Sequence, residues 1–150
     1  MKSILLFLVF ILSSFSSVNS QTVEGTYTNK WVASSGEGIS YTLVLKDNGQ
    51  FTFSSTRFFM DSTADKTVKA DGTWSLDGHL LILDTQTNDK NSEGLISNLN
   101  QNKARYVSVS PRNPNFNLVK PSLKFYESDV FYAKDMELFK TEDQVTTLEQ

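Results

Sequence analysis

The chain has 150 residues, carries a formal net charge of −3 and contains no cysteine. This length is typical of a single domain with its own hydrophobic core, and the lack of cysteine excludes disulfides and thiolate metal sites. The mild acidity argues against binding to nucleic acid or to an anionic membrane surface, because both partners require a basic patch.

The first 20 residues have the features of a secretory signal peptide. Lys2 gives a positive start, Ile4 to Leu12 form an apolar run, and Val18-Asn19-Ser20 precedes the expected cleavage site. The run is shorter than the ~20 residues that a membrane span needs, so an uncleaved anchor is the weaker alternative, and no second apolar run is long enough. We therefore predict a periplasmic or extracellular protein that begins at Gln21, with a charge of about −4 once Lys2 is lost.

The clearest strand signal lies between residues 39 and 54. Apolar and polar side chains alternate there, which places one apolar row on one face of a strand. Asp47-Asn48-Gly49-Gln50 interrupts the row and predicts a hairpin turn, because Asn and Gly tolerate a positive φ. The row on the two sides of this turn consists of Ile39, Tyr41, Leu43, Leu45, Phe51 and Phe53.

Three consecutive apolar residues, Phe58, Phe59 and Met60, begin the next connection. They belong either to a long hairpin arm or to a loop at a barrel mouth. If they are exposed they form an interaction patch, and if they are buried they extend the core.

A second hairpin signal, Asp77-Gly78, follows a strand that contains Trp74. A two-residue turn at this point places Leu76 opposite His79. Leu81 and Leu83 then lie in phase with Trp74, and the intervening apolar residues point outward and need a cover. These outward residues are Leu80 and Ile82.

Leu95, Ile96 and Leu99 share one face of a short helix that we predict over Glu93 to Asn102. Asn91 or Ser92 would cap it. This helix would cover Leu80 and Ile82 or plug one end of a barrel.

The last third of the chain returns to short strands. Lys103 to Ser110 alternates, with Arg105 in phase with Val107 and Val109, and a proline-rich loop follows at 111–121. Further strands are predicted at 123–126, 130–132 and 136–139, before a polar tail at 141–150. Without a helix long enough for a parallel crossover, we predict an all-β fold over residues 21–140: an antiparallel lipocalin-like barrel or curved meander of eight or nine strands with one short helix.

Two sequence patterns carry a family resemblance. Gly25-Thr26-Tyr27 and Gly72-Thr73-Trp74 both open strands, and Leu43-x-Leu45-x-Asp47-x-Gly49-x-Phe51 leads to the second of them. Together they resemble the small lipocalin-like barrels of bacterial envelopes, including the amino-terminal domain of the copper-resistance and surface-sensing lipoprotein family, over residues 23 to 84. That family has a Cys-x-x-Cys pair and a lipid anchor, and neither carries over to a chain without cysteine. The resemblance implies a fold and an envelope setting, and no chemistry.

Catalytic and metal chemistry has little support in the sequence. His79 is the only histidine, and an acyl-transfer site would require it to meet a carboxylate and a hydroxyl such as Ser75 in space. Its position beside a turn favours a solvated residue. Asp61, Asp65 and Asp71 offer oxygen ligands but match no calcium loop. We expect no enzymatic activity, no cofactor and no metal site.

The aromatic residues suggest the leading function, because a small barrel fills its interior with such side chains or leaves space for one ligand. We predict a small apolar or amphipathic ligand inside the barrel. Arg105, if it points inward, would meet a polar head group; a position at a strand end in solvent is the alternative. The competing hypothesis is a solid-core module that binds an envelope protein through the Phe58–Met60 patch or the loop at 111–121. The predicted ligand-lining residues are Tyr27, Tyr41, Phe53, Trp74 and Arg105.

Overall fold

The computed structural model describes residues 22–61, 64–85, 95–128 and 133–141. Eight antiparallel strands in these ranges form one closed barrel, in which each strand pairs with its neighbours in the sequence and the last strand pairs with the first. The predicted all-β barrel is therefore confirmed. The strands are β1 (Gly25–Val32), β2 (Gly38–Leu45), β3 (Gln50–Phe58), β4 (Lys66–Asp77), β5 (Leu80–Asp84), β6 (Asn102–Val107), β7 (Ser122–Glu127) and β8 (Glu137–Lys140).

The barrel forms because alternate residues of these strands are apolar. Leu43 of β2 pairs with Phe53 of β3, which in turn pairs with Ala70 of β4, so one row of buried side chains continues from strand to strand. Ring closure leaves no strand edge unpaired among the eight described strands. The inward rows meet in one hydrophobic core cluster that fills the middle of the barrel.

The two ends of the barrel differ in their connections. The hairpin end carries the tight turns β2–β3 and β4–β5, the longer connection β6–β7, and the start of β1 and end of β8. The loop end carries the connections β1–β2, β3–β4, β5–β6 and β7–β8. This division follows from the antiparallel order, because successive connections must alternate between the ends.

The hairpin end is closed by main-chain hydrogen bonds. Gly49 and Gly78 occupy the left-handed positions of the two turns, with φ of 79° and 61°. The Trp74 N–H donates to the Gly49 carbonyl at 2.8 Å, and the indole Nε1 donates to the Lys46 carbonyl at 3.0 Å. The indole thus caps the first turn.

The predicted helix over Glu93 to Asn102 is wrong in its described part. Residues 95–101, which we call the plug, form no helix, and β6 begins at Asn102. Leu95, Ile96 and Leu99 are fully buried, and Ile96 and Leu99 pack into the core cluster. The apolar spacing therefore predicted burial correctly and secondary structure incorrectly.

Other expectations fall outside the described residues, namely the signal peptide, the strand at 130–132 and most of the tail at 141–150. Thr141 is described, and its N–H donates to the Thr26 carbonyl at 2.8 Å. No helix in the described ranges is long and apolar enough to cross a membrane.

Candidate functional site

The interior of the barrel is packed. Tyr27 and Phe53, both predicted to line a ligand, are almost completely buried, as are the aliphatic residues around them. A side chain that lined a water-sized cavity would keep exposed area. The buried rows therefore pack against one another, and the described interior resembles an ordinary protein core. The largest fully buried side chains in the described ranges are Tyr27, Leu43, Phe51, Phe53, Leu81, Leu83, Ile96, Leu99, Asn102, Leu123, Phe125 and Leu138.

Tyr27 lies towards the hairpin end and does not reach the loop end. Its hydroxyl donates to the Val23 carbonyl, and the Lys140 Nζ lies 5.9 Å from the centre of its ring. Burial, followed by the charge of the neighbouring Tyr106, raises the pKa of Tyr27 well above its usual range. Tyr27 is therefore a neutral structural residue of the closed end.

Trp74 lies on the inward row of β4 and packs against the core cluster, whereas Arg105 does not face the interior. Trp74 is half-buried at the hairpin end, where it caps a turn. Arg105 is exposed on the outer face of β6, and its guanidinium carbon lies 6.0 Å from the centre of the Tyr126 ring. The inward placement of Arg105 is wrong, because Ala104 and Tyr106 occupy the inward row, so Arg105 cannot meet a ligand held inside.

The plug covers one side of the loop end. The Ile96 N–H donates to the Ser55 Oγ at 2.9 Å, and the same hydroxyl lies 3.3 Å from the Ile96 carbonyl oxygen. The Leu99 N–H donates to the Thr85 Oγ1 at 3.2 Å. Ser55 of β3 and Thr85, the residue after β5, thus bind the buried N–H groups of Ile96 and Leu99, as a buried irregular segment requires.

The other side of the loop end holds an open groove, which we call the mouth groove. It has a volume of about 260 Å³ and lies between the adjoining ends of β1 and β2 and the turn before β8. Tyr41 forms part of it and stacks on Phe53, with ring centroids 6.0 Å apart and 22° between the ring planes. Of the predicted ligand-lining residues, Tyr27, Tyr41 and Phe53 belong to the core cluster and Trp74 packs against it, but only Tyr41 lines the groove. The groove is lined by Trp31, Ile39, Tyr41, Lys134, Asp135 and Met136.

Several apolar side chains at the loop end are exposed. Trp31 is 66% exposed although it is in phase with the buried Tyr27, and Val32 and Met60 are 59% and 71% exposed. Phe58 and Phe59 are only half-buried members of the predicted patch. Lys30 Nζ lies 4.6 Å from the centre of the Phe58 ring, and the Arg57 guanidinium carbon lies 5.3 Å from that of Phe59. The three residues of the patch therefore differ: cationic side chains lie near the rings of the half-buried Phe58 and Phe59, and only Met60 is an exposed apolar side chain.

The residues considered for catalysis or metal binding are dispersed. His79 is exposed in the β4–β5 turn, where its carbonyl accepts a hydrogen bond from the Tyr106 N–H at 2.9 Å. Asp71 pairs with Thr52 in the β3–β4 ladder, whereas Asp61 and Asp65 lie in the connection at the loop end. The described ranges contain no group of three or more His, Cys, Asp or Glu residues that could hold a metal ion.

Sequence reasoning missed most of the groove. The sequence pattern places Ile39 in an apolar row and Met136 in a strand, and it indicates no role for Trp31. The sequence offers one signal for the groove, which is that Trp31 is in phase with Tyr27 near the end of a row of inward-facing residues. The sequence offers no such signal for the turn residues Lys134 and Asp135, because their position depends on the pairing of β8 with β1 that closes the barrel.

No protein-family model, curated protein or solved structure matches the chain. The barrel and its mouth groove are therefore the basis for a functional assignment.

Proposed function

We propose that this chain is an exported, non-enzymatic binding protein that holds a small apolar or amphipathic ligand in the mouth groove. The ligand sits at the loop end of the barrel and contacts Trp31, Ile39 and Met136. The resemblance of residues 23–84 to lipocalin-like envelope barrels favours the same class of protein, although the packed interior moves the site from the middle of the barrel to its mouth.

One observation carries this proposal. The mouth groove combines apolar and aromatic walls with two charged residues, Lys134 and Asp135, which are both exposed. Small-molecule sites typically consist of an apolar pocket with a few polar groups that orient the ligand. Trp31 gives the groove an indole that solvent reaches and that a ligand would cover.

Trp fluorescence tests this proposal, because the chain has only two tryptophans. In a Trp74→Phe variant of the chain from Gln21 onward, the emission reports on Trp31 alone. A ligand panel of fatty acids, haem, sterols and simple aromatic compounds should contain at least one compound that shifts this emission with saturation. No shift with any compound would count against the groove as a small-molecule site.

A control variant separates binding at the groove from nonspecific apolar contact. Calorimetric titration of Trp31→Ala should show at least a tenfold loss of affinity for any compound found. Leu118→Ala removes a side chain that is 80% exposed in the connection at the opposite end, and it should leave the affinity unchanged.

A second candidate function is an interaction with an envelope protein at the same end. It is favoured by Val32 and Met60, which are exposed outside the groove. Met60→Lys distinguishes the two functions. It should abolish capture of a protein partner while leaving the Trp31 fluorescence response to small compounds intact.

A further inference from the structure

We infer that the mouth groove selects a short planar ring and excludes long acyl chains. This inference rests on the proposed function and specifies the class of ligand. Its starting point is the groove volume of about 260 Å³. Pockets for drug-sized ligands typically have volumes of roughly 300–1,000 Å³, so this groove has room for a small ring system and little more.

The floor of the groove is closed by packed side chains. Tyr41 and Met136 are only 7% and 6% exposed. Beneath Tyr41 lies its stacking partner Phe53, which is 1% exposed and belongs to the core cluster. A chain that entered between Trp31 and Met136 would therefore meet the core within the length of a few methylene groups.

The lateral path from the groove towards the plug is also blocked. Ser55 pairs with Tyr41 across β2 and β3, and it is the residue whose hydroxyl binds Ile96 of the plug. Ile96 is fully buried. A long ligand could turn into the barrel only by displacing this hydrogen-bonded contact and the apolar side chain that accompanies it.

The walls favour a ring over a flexible chain of similar size. The exposed Trp31 indole and the Tyr41 ring offer aromatic surfaces on which a second ring can pack in an offset or edge-to-face geometry. A ring also loses less conformational freedom on binding than an alkyl chain does. A polar substituent would point outward, where Lys134 and Asp135 are exposed.

A chain-length series tests the inference. The Trp74→Phe variant is titrated with straight-chain carboxylates from butanoate to hexadecanoate, and with phenol, indole and naphthol. By calorimetry, we expect affinity to rise up to about hexanoate and then to fall, and we expect indole to bind at least tenfold more tightly than hexanoate. A continuous gain of about fourfold per methylene up to hexadecanoate would mean that the chain enters the barrel, and would overturn the inference.

The outcomes separate this inference from the function on which it rests. If calorimetry detects no binding of any carboxylate or ring compound, the proposed function fails together with the inference. If long chains bind best, the proposed function stands and the inference fails.

A conservative variant then isolates the aromatic wall. Trp31→Leu keeps an apolar side chain at the mouth and removes the ring. Calorimetry should show that indole loses its advantage over hexanoate, while hexanoate binding changes less than threefold. An unchanged preference for indole in this variant would contradict a stacking role for Trp31.

Discussion

The two ends of the barrel satisfy their backbone groups in different ways. At the hairpin end, hydrogen bonds of the tight turns and between paired strands satisfy these groups, and glycines hold the left-handed positions of both turns. At the loop end, hydroxyl side chains of Ser55 and Thr85 hold an irregular plug, and left-handed positions fall not only on Gly36 but also on Gln101 and Asp135, with φ of 54° and 66°. A binding site is expected at such an irregular end, because a rigid scaffold presents its functional residues on connections.

The largest expected effect tests whether the plug is part of the core or a removable cover. Ile96→Ala should lower the free energy of unfolding by about 2–5 kcal/mol, because it leaves a cavity under a fully buried aliphatic residue. Urea unfolding gives this value, with Leu118→Ala at the hairpin end expected to change stability by less than about 0.5 kcal/mol. A loss below about 1 kcal/mol for Ile96→Ala would mean that the plug contributes little to the core.

A smaller effect tests the hydrogen bonds that hold the plug. Ser55→Ala leaves the buried Ile96 N–H without its acceptor and should cost about 1–3 kcal/mol in urea unfolding. The adjacent Ser54 provides the matched control, since it lies on the outer face of the same strand, and Ser54→Ala should cost less than about 0.5 kcal/mol. Equal costs for the two variants would show that the plug is held by apolar packing alone.

At the hairpin end, the corresponding test is stability at high pH. The pKa of Tyr27 is raised by burial, so the native state keeps its proton above pH ~10, where the unfolded state loses it. Stability is therefore complete below the unfolded pKa and falls as pH rises, by up to about 1.4 kcal/mol per pH unit for this group. Urea unfolding across this range should show a shallower decline for Tyr27→Phe.

Tyr27→Phe should keep part of the decline of stability at high pH, because burial also raises the pKa of Tyr106. It should also lose about 1 kcal/mol at neutral pH, where the Tyr27 hydroxyl donates to the Val23 carbonyl. A pH dependence identical to that of the native chain would mean that Tyr27 is not the residue that titrates.

The sequence predicts the faces of the central strands better than their turns. The predicted turn at Asp77-Gly78 is displaced, since Asp77 pairs with Leu80 and the turn residues are Gly78 and His79. The resulting register differs by two residues, and a shift by two leaves every side chain on the same face. Leu81 and Leu83 are accordingly buried, as the alternation predicted.

Prediction fails where tertiary contacts replace local ones. Ile96 and Leu99 have helical spacing, but the hydroxyls of Ser55 and Thr85, distant in sequence, bind their backbone in place of helical carbonyls. Arg105 lies in an alternation with apolar residues on both faces, so the pattern could not decide which face points inward. The mouth groove is not predicted for the same reason, because Trp31 and Met136 are far apart in sequence and meet only when the barrel closes.

The smallest expected effect compares the left-handed positions of the two ends directly. Gln101→Gly should raise the free energy of unfolding by up to about 0.5 kcal/mol, because relief of its positive φ is largely offset by the greater freedom of glycine in the unfolded chain. Gly49→Ala should instead cost about 1–2 kcal/mol, since only the Trp74 carbonyl lies near the added methyl group and the cost comes from a φ of 79°. Thermal unfolding of both variants checks the opposite signs. If Gln101→Gly destabilises as strongly as Gly49→Ala, then the side chain of Gln101, whose Nε2 lies 3.4 Å from Asp84 Oδ2, contributes more to the loop end than its backbone conformation costs.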